Sequence, residues 1–286
     1  MTPMGISAAT FEYIRTLVIQ RSAIVLDAGK EYLVESRLGP IARAEGFATV
    51  DDLAVQLGRT SFNTLHRRVI EAMTTNETTF FRDIHPFDAL RTVVFPELIA
   101  ARSKERRLNF WCGAASSGQE PYTVCMIVRE HFPELRNWKF NFLATDLSSA
   151  MLARARAGRY SQLEVNRGLP APLLLKYFKK DGTEWVIDEE IRRMVDYQEL
   201  NLAERWPAMA RMDVVMMRNV LIYFDTDMKR EIMRKVRGVM APDGYFILGS
   251  AETTMAIDDA FERAPIGKSV AYRLAGAGAR RQHVGV

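Results

Sequence analysis

Near residue 105 the hydrophobic period of this chain changes, and that change restricts its architecture more than any other feature. Upstream, apolar residues recur at helical spacing: Phe11, Ile14, Leu17 and Val18, then Leu65, Val69, Ile70 and Met73. Between these runs, "KEYLVESRLGPIARAEGF" reads as a helix broken near Gly39-Pro40, and "VDDLAVQLG" as a short helix stopped at Gly58. Downstream, strands alternate with helices. "RLNFWCGAASSG" is a strand ending in a glycine-bearing turn, and "QEPYTVCMIVREHF" is a helix that tolerates Pro121 in its first turn. "KFNFLATDLS" is a second strand, and Ser148 or Ser149 caps the helix after it. "MDVVMMRNVLIYF" opens as a buried strand, "DMKREIMRKVRGVMAPDG" is an amphipathic helix, and "YFILGSAE" and "SVAYRL" supply two last strands. The pattern predicts an all-helical domain over residues 1–85 and an α/β domain with a parallel, doubly wound sheet over 86–286.

One stretch interrupts the alternation. "GTEWVIDEEIRRMVDYQELNL" offers two short strand-like runs around an acidic turn and follows "PAPLLLKYFKK". It reads as an inserted β-hairpin subdomain at about 164–200. The small, polar "AGAGARRQHVGV" at the end is expected to be disordered.

The charge balance argues against a nucleic-acid partner. The net charge is +4, but residues 1–85 hold nine Lys/Arg and ten Asp/Glu, and the surplus elsewhere is spread out rather than arranged as a phosphate track. A local cluster such as "HRR" at 66–68 suits an acidic protein surface instead. Cys112 and Cys125 lack metal or redox spacing and read as buried, inert thiols, while the four histidines are scattered, so no metal site is expected. No apolar run reaches the roughly 18 residues that cross a bilayer. The N-terminal stretch lacks the basic and small-residue marks of a secretion signal. A cytoplasmic monomer with no membrane insertion is the expectation.

Candidate chemistry gathers at strand ends. The turn Gly113–Gly118 leads from a strand into a helix whose N-terminus offers free N–H groups to polar ligand atoms. It is neither a P-loop nor a three-glycine dinucleotide fingerprint. Asp146 closes the next strand, where it is placed either to accept ribose hydroxyls or to cap the following helix. Loop and acid together favour an adenosine-containing cofactor; the sparse glycines lean towards S-adenosylmethionine (SAM) over a nicotinamide. Arg218 and Asn219 end a buried strand at its ligand-binding edge. Tyr223 follows them as either a catalytic group or a packed helix tyrosine. Asn201 and Leu202 offer an amide and an apolar surface for an adenine ring, or a plain turn asparagine.

In this order and spacing, "TNETTFFRD", "GAASSGQEPYT", "ATDLS", "LNL" and "RNVLIYF" resemble the CheR-type chemotaxis receptor methyltransferases, over nearly the whole chain. The resemblance implies a Rossmann-like SAM-dependent methyltransferase domain with a small β-subdomain insertion, preceded by an all-helical domain. It further implies transfer of the SAM methyl group to glutamate side chains in the helical methylation region of chemoreceptors, leaving S-adenosylhomocysteine. By that resemblance Asn76, Thr78, Arg82, Glu120, Asp146, Asn201, Leu202, Arg218 and Asn219 bind the cofactor, with Asp146 on the ribose. Arg82 and Tyr223 lie near the transferred methyl, and Phe80 and Phe81 anchor their segment by packing. Many members carry an acidic pair before the proline where this chain has Gln119-Glu120; Glu120 remains. Arg37, Arg43, Arg59, Arg67 and Arg68 are the implied docking residues of the helical domain, and the β-subdomain is the implied seat for a receptor tail peptide.

Overall fold

The computed structural model of the protein describes residues 5–276, so the expected disorder of the tail falls, for residues 277–286, outside the described residues. Two compact units emerge from the packing. Among the described residues, one holds 5–75 with Asn201–Arg205 and Tyr223–Met228; the other holds Asn76–Leu200, Trp206–Ile222 and 229–276. Residues 76–85 therefore pack with the second unit.

In the first unit, α1 (Ala8–Ser22), α2 (Glu31–Ala44), α3 (Val50–Arg59) and α4 (Thr64–Met73) enclose a core that includes Ile14, Val18, Val34, Leu38, Leu53 and Val69, all fully buried. Ser7, Thr49 and Asn63 cap α1, α3 and α4 with side-chain oxygens, which accept N–H groups that the first turn leaves unpaired. The expected break at Gly39-Pro40 does not occur: α2 runs through Pro40. Pro40 sits on the exposed face, while Val34, Leu38 and Ala42 form a buried stripe at four-residue spacing. Burying Val34 and Leu38 yields roughly 1.5–3 kcal/mol each, enough together to offset the roughly 3 kcal/mol that an interior proline costs.

The second unit opens with α5 (His85–Ala89), continuous through a π turn with α6 (Phe95–Ala101). Then come β1 (Arg107–Gly113), α7 (Gln119–His131), β2 (Lys139–Asp146) and α8 (Ser149–Ala157). The chain continues through β3 (Arg159–Ser161), α9 (Gln162–Asn166), α10 (Ala171–Tyr177), β4 (Phe178–Asp181), β5 (Glu184–Ile187) and α11 (Glu189–Arg192). Last are β6 (Val195–Glu199), β7 (Met212–Met217), α12 (Thr226–Val239), β8 (Met240–Leu248), β9 (Phe261–Ile266) and β10 (Ser269–Leu274).

Seven strands form one sheet in the order β6-β2-β1-β7-β8-β10-β9. The five from β6 to β8 are parallel, and β10 and β9 are antiparallel additions, so the sheet is mixed rather than wholly parallel. Every residue of β7 is buried, as expected for a strand covered on both faces. The sequence reading missed β9, "FERAPI", because a proline and alternating charges disguise it. As an edge strand it tolerates both.

The expected hairpin also needs correction. β5 joins a separate three-stranded sheet, β3-β5-β4, whereas β6 pairs in parallel with β2 in the large sheet. The acidic stretch between them folds into α11 instead of a tight turn, and the buried Val195 and Tyr197 of β6 belong to the main core. Among the described residues no helix is long and apolar enough to cross a membrane.

Candidate functional site

The parallel strands all end at one edge of the sheet, where open α/β folds bind ligands. That edge receives the Gly113–Gly118 loop after β1, Asp146 at the end of β2, Arg218-Asn219 after β7 and Gly249 to Glu252 after β8.

The first loop is held in an unusual backbone shape. Ala114 (φ 58°), Ser116 (φ 49°) and Gly118 (φ 94°) all adopt left-handed conformations. Gly118 is required there, since a Cβ would lie 2.9 Å from the Tyr197 hydroxyl and 3.0 Å from Ala155 Cβ. Asp146 secures the shape. Its Oδ2 accepts the Ser116 N–H at 2.7 Å and its Oδ1 accepts the Ser148 N–H at 2.9 Å. Ser148 in turn caps α8, so the capping task read for the strand-end acid is shared between Asp146 and Ser148. The Ser116 hydroxyl donates to the Asn76 carbonyl at 2.8 Å, and Thr123 Oγ1 accepts the Phe81 N–H at 3.2 Å. These bonds fasten the 76–82 segment to the loop and to α7.

Phe80 is fully buried and meets Tyr160 and Phe178 edge-on, while Phe81 is half-buried against Phe87. Next in the chain, Phe81, Asp83 and Ile84 take positive φ values of 49°, 65° and 25°. Such positions cost about 1–3 kcal/mol each and persist only where surrounding contacts fix them. Arg218 supplies that fixation. Its fully buried guanidinium donates from Nη1 to Glu120 Oε2 at 2.5 Å, and from Nη2 to Asp83 Oδ2 at 2.8 Å and the Arg82 carbonyl at 2.9 Å. It also lies 5.4 Å from the Phe87 ring centre. The "NETTFFRD", "GQEPYT" and "RNVLIYF" segments thus converge on one cation.

Sequence reasoning missed two members of this arrangement. Asp83 stood within a quoted motif without a role. Glu252 was not singled out at all, yet its buried carboxylate accepts the N–H groups of Asn219, Val220, Leu221, Ile222 and Gly249 at 2.7–3.3 Å. Only the Gly-Ser-Ala-Glu run at the end of a buried strand hinted at it.

Among the other named residues, Arg82 donates to the Glu77 carbonyl at 3.0 Å, and Thr78 is half-buried. Asn201, Leu202 and Tyr223 belong to the first unit. There Asn201 behaves as a turn asparagine, with Nδ2 donating to the Arg21 carbonyl and Oδ1 accepting the Ala203 N–H. The Tyr223 carbonyl accepts the Val25 N–H at 2.9 Å. Arg37 is committed to closing α4, donating to the carbonyls of Met73 and Thr74 and to Thr75 Oγ1; burial lowers its pKa. Arg43, Arg59, Arg67 and Arg68 are exposed, and Arg68 pairs with Glu45. His66 turns inward from the "HRR" run, with Nε2 against the Leu57 carbonyl.

The site offers a free acceptor to a hydrogen-bond donor on a ligand. Asn219 adopts φ 57°, and its buried Oδ1 has no protein partner. A buried acceptor left unpaired costs about 1–3 kcal/mol. The ammonium, ribose hydroxyls and adenine amine of SAM are all donors of the needed kind. Gly249 leaves no slack beside it, because a Cβ there would come within 2.9 Å of both Asn219 nitrogens. Cys112 donates weakly to Glu120 Oε1, and burial, reinforced by that carboxylate, pushes the thiol pKa far up. Burial likewise raises Cys125. Neither is a nucleophile at neutral pH. Among the described residues no group of three or more His, Cys, Asp or Glu is arranged to hold a metal ion.

Two family descriptions match the chain: "CheR methyltransferase, all-alpha domain" over residues 9–74 and "CheR methyltransferase, SAM binding domain" over residues 76–270. Chemotaxis protein methyltransferase 1 of Pseudomonas aeruginosa is 38% identical over 275 residues, covering 94% of this chain and 99% of that protein. Chemotaxis protein methyltransferase Cher2 of Pseudomonas putida is 33% identical over 268 residues, covering 92% and 97% respectively.

Proposed function

Since the chain belongs to the CheR methyltransferase family and is a SAM-dependent methyltransferase, we propose that its methyl acceptors are glutamate side chains in the helical methylation region of chemoreceptors. The product is a glutamate methyl ester, and the setting is cytoplasmic. The observation that carries this reading is the similarity to chemotaxis methyltransferases along almost the full length. The convergence of three motifs on Arg218 supports it.

Bound SAM supplies an electrophilic methyl on a sulfonium. A glutamate with a pKa near 4.3 is already ionised at neutral pH, so its carboxylate attacks without a general base. The protein's task is positioning and exclusion of water. Asn76, Thr78, Arg82, Glu120, Asp146, Asn201, Leu202, Arg218 and Asn219 are proposed to hold the donor. Asp146 takes the ribose, and Asn219 Oδ1 receives a ligand donor. Arg82 and Tyr223 orient the reacting groups, and neither has to accept a proton. Arg218 acts mainly by fixing Asp83, Glu120 and the Arg82 carbonyl. Arg43, Arg59, Arg67 and Arg68 are proposed to face the acidic receptor helices, whereas the bonds of Arg37 argue for a structural part. The exposed edge strand β4 offers backbone groups to which a receptor tail could add a strand.

Incubation with methyl-radiolabelled SAM and receptor-containing membranes tests the proposal. Alkali should release the label from the receptor as volatile methanol, and changing the target glutamates to alanine should abolish labelling. Label that persists after that change, or that enters RNA instead, overturns it.

A further inference from the structure

Beside the Arg218 centre lies a cavity of about 350 Å³. Its floor is the end of β8 and the Gly249–Thr253 turn, its near wall the Asp83–Pro86 segment, and its far wall the β9–β10 hairpin. The register explains the placement. β10 runs antiparallel to β8 with Ala271 opposite Ile247, so the tip of the hairpin, Gly267-Lys268, projects at the same sheet edge as the ends of the parallel strands.

The charges of this cavity are unevenly matched. Its two carboxylates are engaged inside the fold: Asp83 pairs with Arg218, and Glu252 takes five backbone N–H groups. Arg263 and Lys268, both exposed, have no carboxylate partner among the described residues. Arg263 stands opposite Tyr272 on the edge strand, and the Tyr272 hydroxyl donates to Thr253 Oγ1 at 3.3 Å, which braces the strand pair against the turn. His85, also exposed, completes the polar wall. Met255, a large apolar side chain 60% exposed, lines the cavity, while Ile84 (53% exposed) lies between the lining residues Asp83 and His85 in sequence and Ile222 (47%) sits on the turn that Glu252 holds.

We propose that this cavity docks the acidic, amphipathic helical segment that carries the methyl-accepting glutamate. The proposal rests on the function given above and names where its substrate is gripped. A small free anion would call for buried donors, whereas these cations are exposed and flanked by apolar surface. That combination suits a protein segment whose own apolar face covers Met255 and Ile84 while its carboxylates meet Arg263 and Lys268. A segment seated there lies beside the Arg218 centre, because Asp83 both lines the cavity and pairs with Arg218.

The test compares the full-length protein with Arg263→Glu/Lys268→Glu and with Arg263→Ala/Lys268→Ala. The probe is a soluble receptor fragment comprising the helical signalling region, methylated with radiolabelled SAM. The reversal should raise the KM for the fragment about tenfold or more, and the alanine pair about threefold. Calorimetric affinity for SAM and kcat at saturating fragment should stay at wild-type values. Raising salt should weaken the wild type more than the alanine pair. If the wild type methylates the fragment and both variants keep its KM, the docking proposal is overturned while the function stands. If a variant loses SAM affinity together with fragment affinity, the cavity serves the fold or the cofactor site, and the proposal is again overturned. If the wild type leaves every receptor glutamate unlabelled, the functional reading itself falls, and this proposal with it.

Discussion

Two carboxylates, Asp146 and Glu252, each hold a loop at the ligand edge of the sheet, and they do so differently. Asp146 sits at the end of β2 and takes the Ser116 N–H of the neighbouring loop and the Ser148 N–H of its own. Glu252 lies three residues after Gly249 and draws in four consecutive N–H groups from across the sheet edge, together with that of Gly249. A carboxylate offers about four lone-pair positions, so five donors saturate it. Glu252 is thereby a structural anchor for the 218–222 turn, while Asp146 combines anchoring with a place where ribose hydroxyls are expected. The comparison teaches that an acid at a strand end can serve fold and ligand together, whereas one wrapped by a turn serves the fold.

The largest expected effect is therefore on stability, from Glu252→Ala. It leaves five N–H groups without their acceptor and should lower the unfolding free energy by about 4 kcal/mol. Glu252→Gln should cost nearly as much, because an amide presents a donor to other donors. All four tryptophans lie in the second unit, so denaturant unfolding followed by tryptophan fluorescence reads this unit alone. A loss below about 1 kcal/mol would show that the turn holds itself.

Next in size, Arg218→Met should lower stability by about 3 kcal/mol, since it strands the buried Glu120 and frees the left-handed Asp83 segment. The same measurement applies. Tolerance of this change would mean that the three motifs hold their places without a shared cation.

Asp146→Ala probes the other side of the comparison. SAM binding should weaken by about 1.5–3 kcal/mol through loss of a charged acceptor, measured by calorimetry below the melting transition. An unchanged affinity would reduce Asp146 to the role of Glu252. Matched losses in stability and affinity for both acids would erase the distinction between them.

The distinction also marks what the sequence made legible. Asp146 was visible because a strand end followed by a Ser-rich helix start fixes where its carboxylate must lie, by local rules alone. The bonds of Glu252 span thirty or more residues, from Asn219 and its neighbours to a loop after another strand, and no local period encodes such a contact. β7 was legible because full burial writes itself as an apolar run, while β9 was not because an edge strand needs no such run. The hairpin misreading has the same root. β5 and β6 look alike in sequence, and only their pairing separates them: β6 joins β2 in the large sheet, while β5 sits between β3 and β4. Pro40 was over-read, since local propensity gave way to a buried stripe on the far face of the helix.

A third acid supplies the baseline for the other two. Glu77 belongs to the same segment as Asn76, whose carbonyl is bound by Ser116, but its carboxylate pairs with the exposed guanidinium of Arg167, at 2.8 Å, with 62% of the Glu77 side chain exposed. The hydrogen bond and charge of Arg167 lower its pKa. A lowered carboxylate pKa contributes stability that is present above the unfolded value near 4.3 and is lost as the pH falls through the folded value. Any difference between wild type and Glu77→Gln should therefore appear at pH 7 and vanish below the folded-state value. Solvent screening keeps it small, at less than about 2 °C in melting temperature, and added salt should shrink it further. A larger shift, or one that persists into acid, would mean that charge pairing at the surface of this segment rivals the buried backbone grips, and ranking these acids by the N–H groups they hold would be wrong.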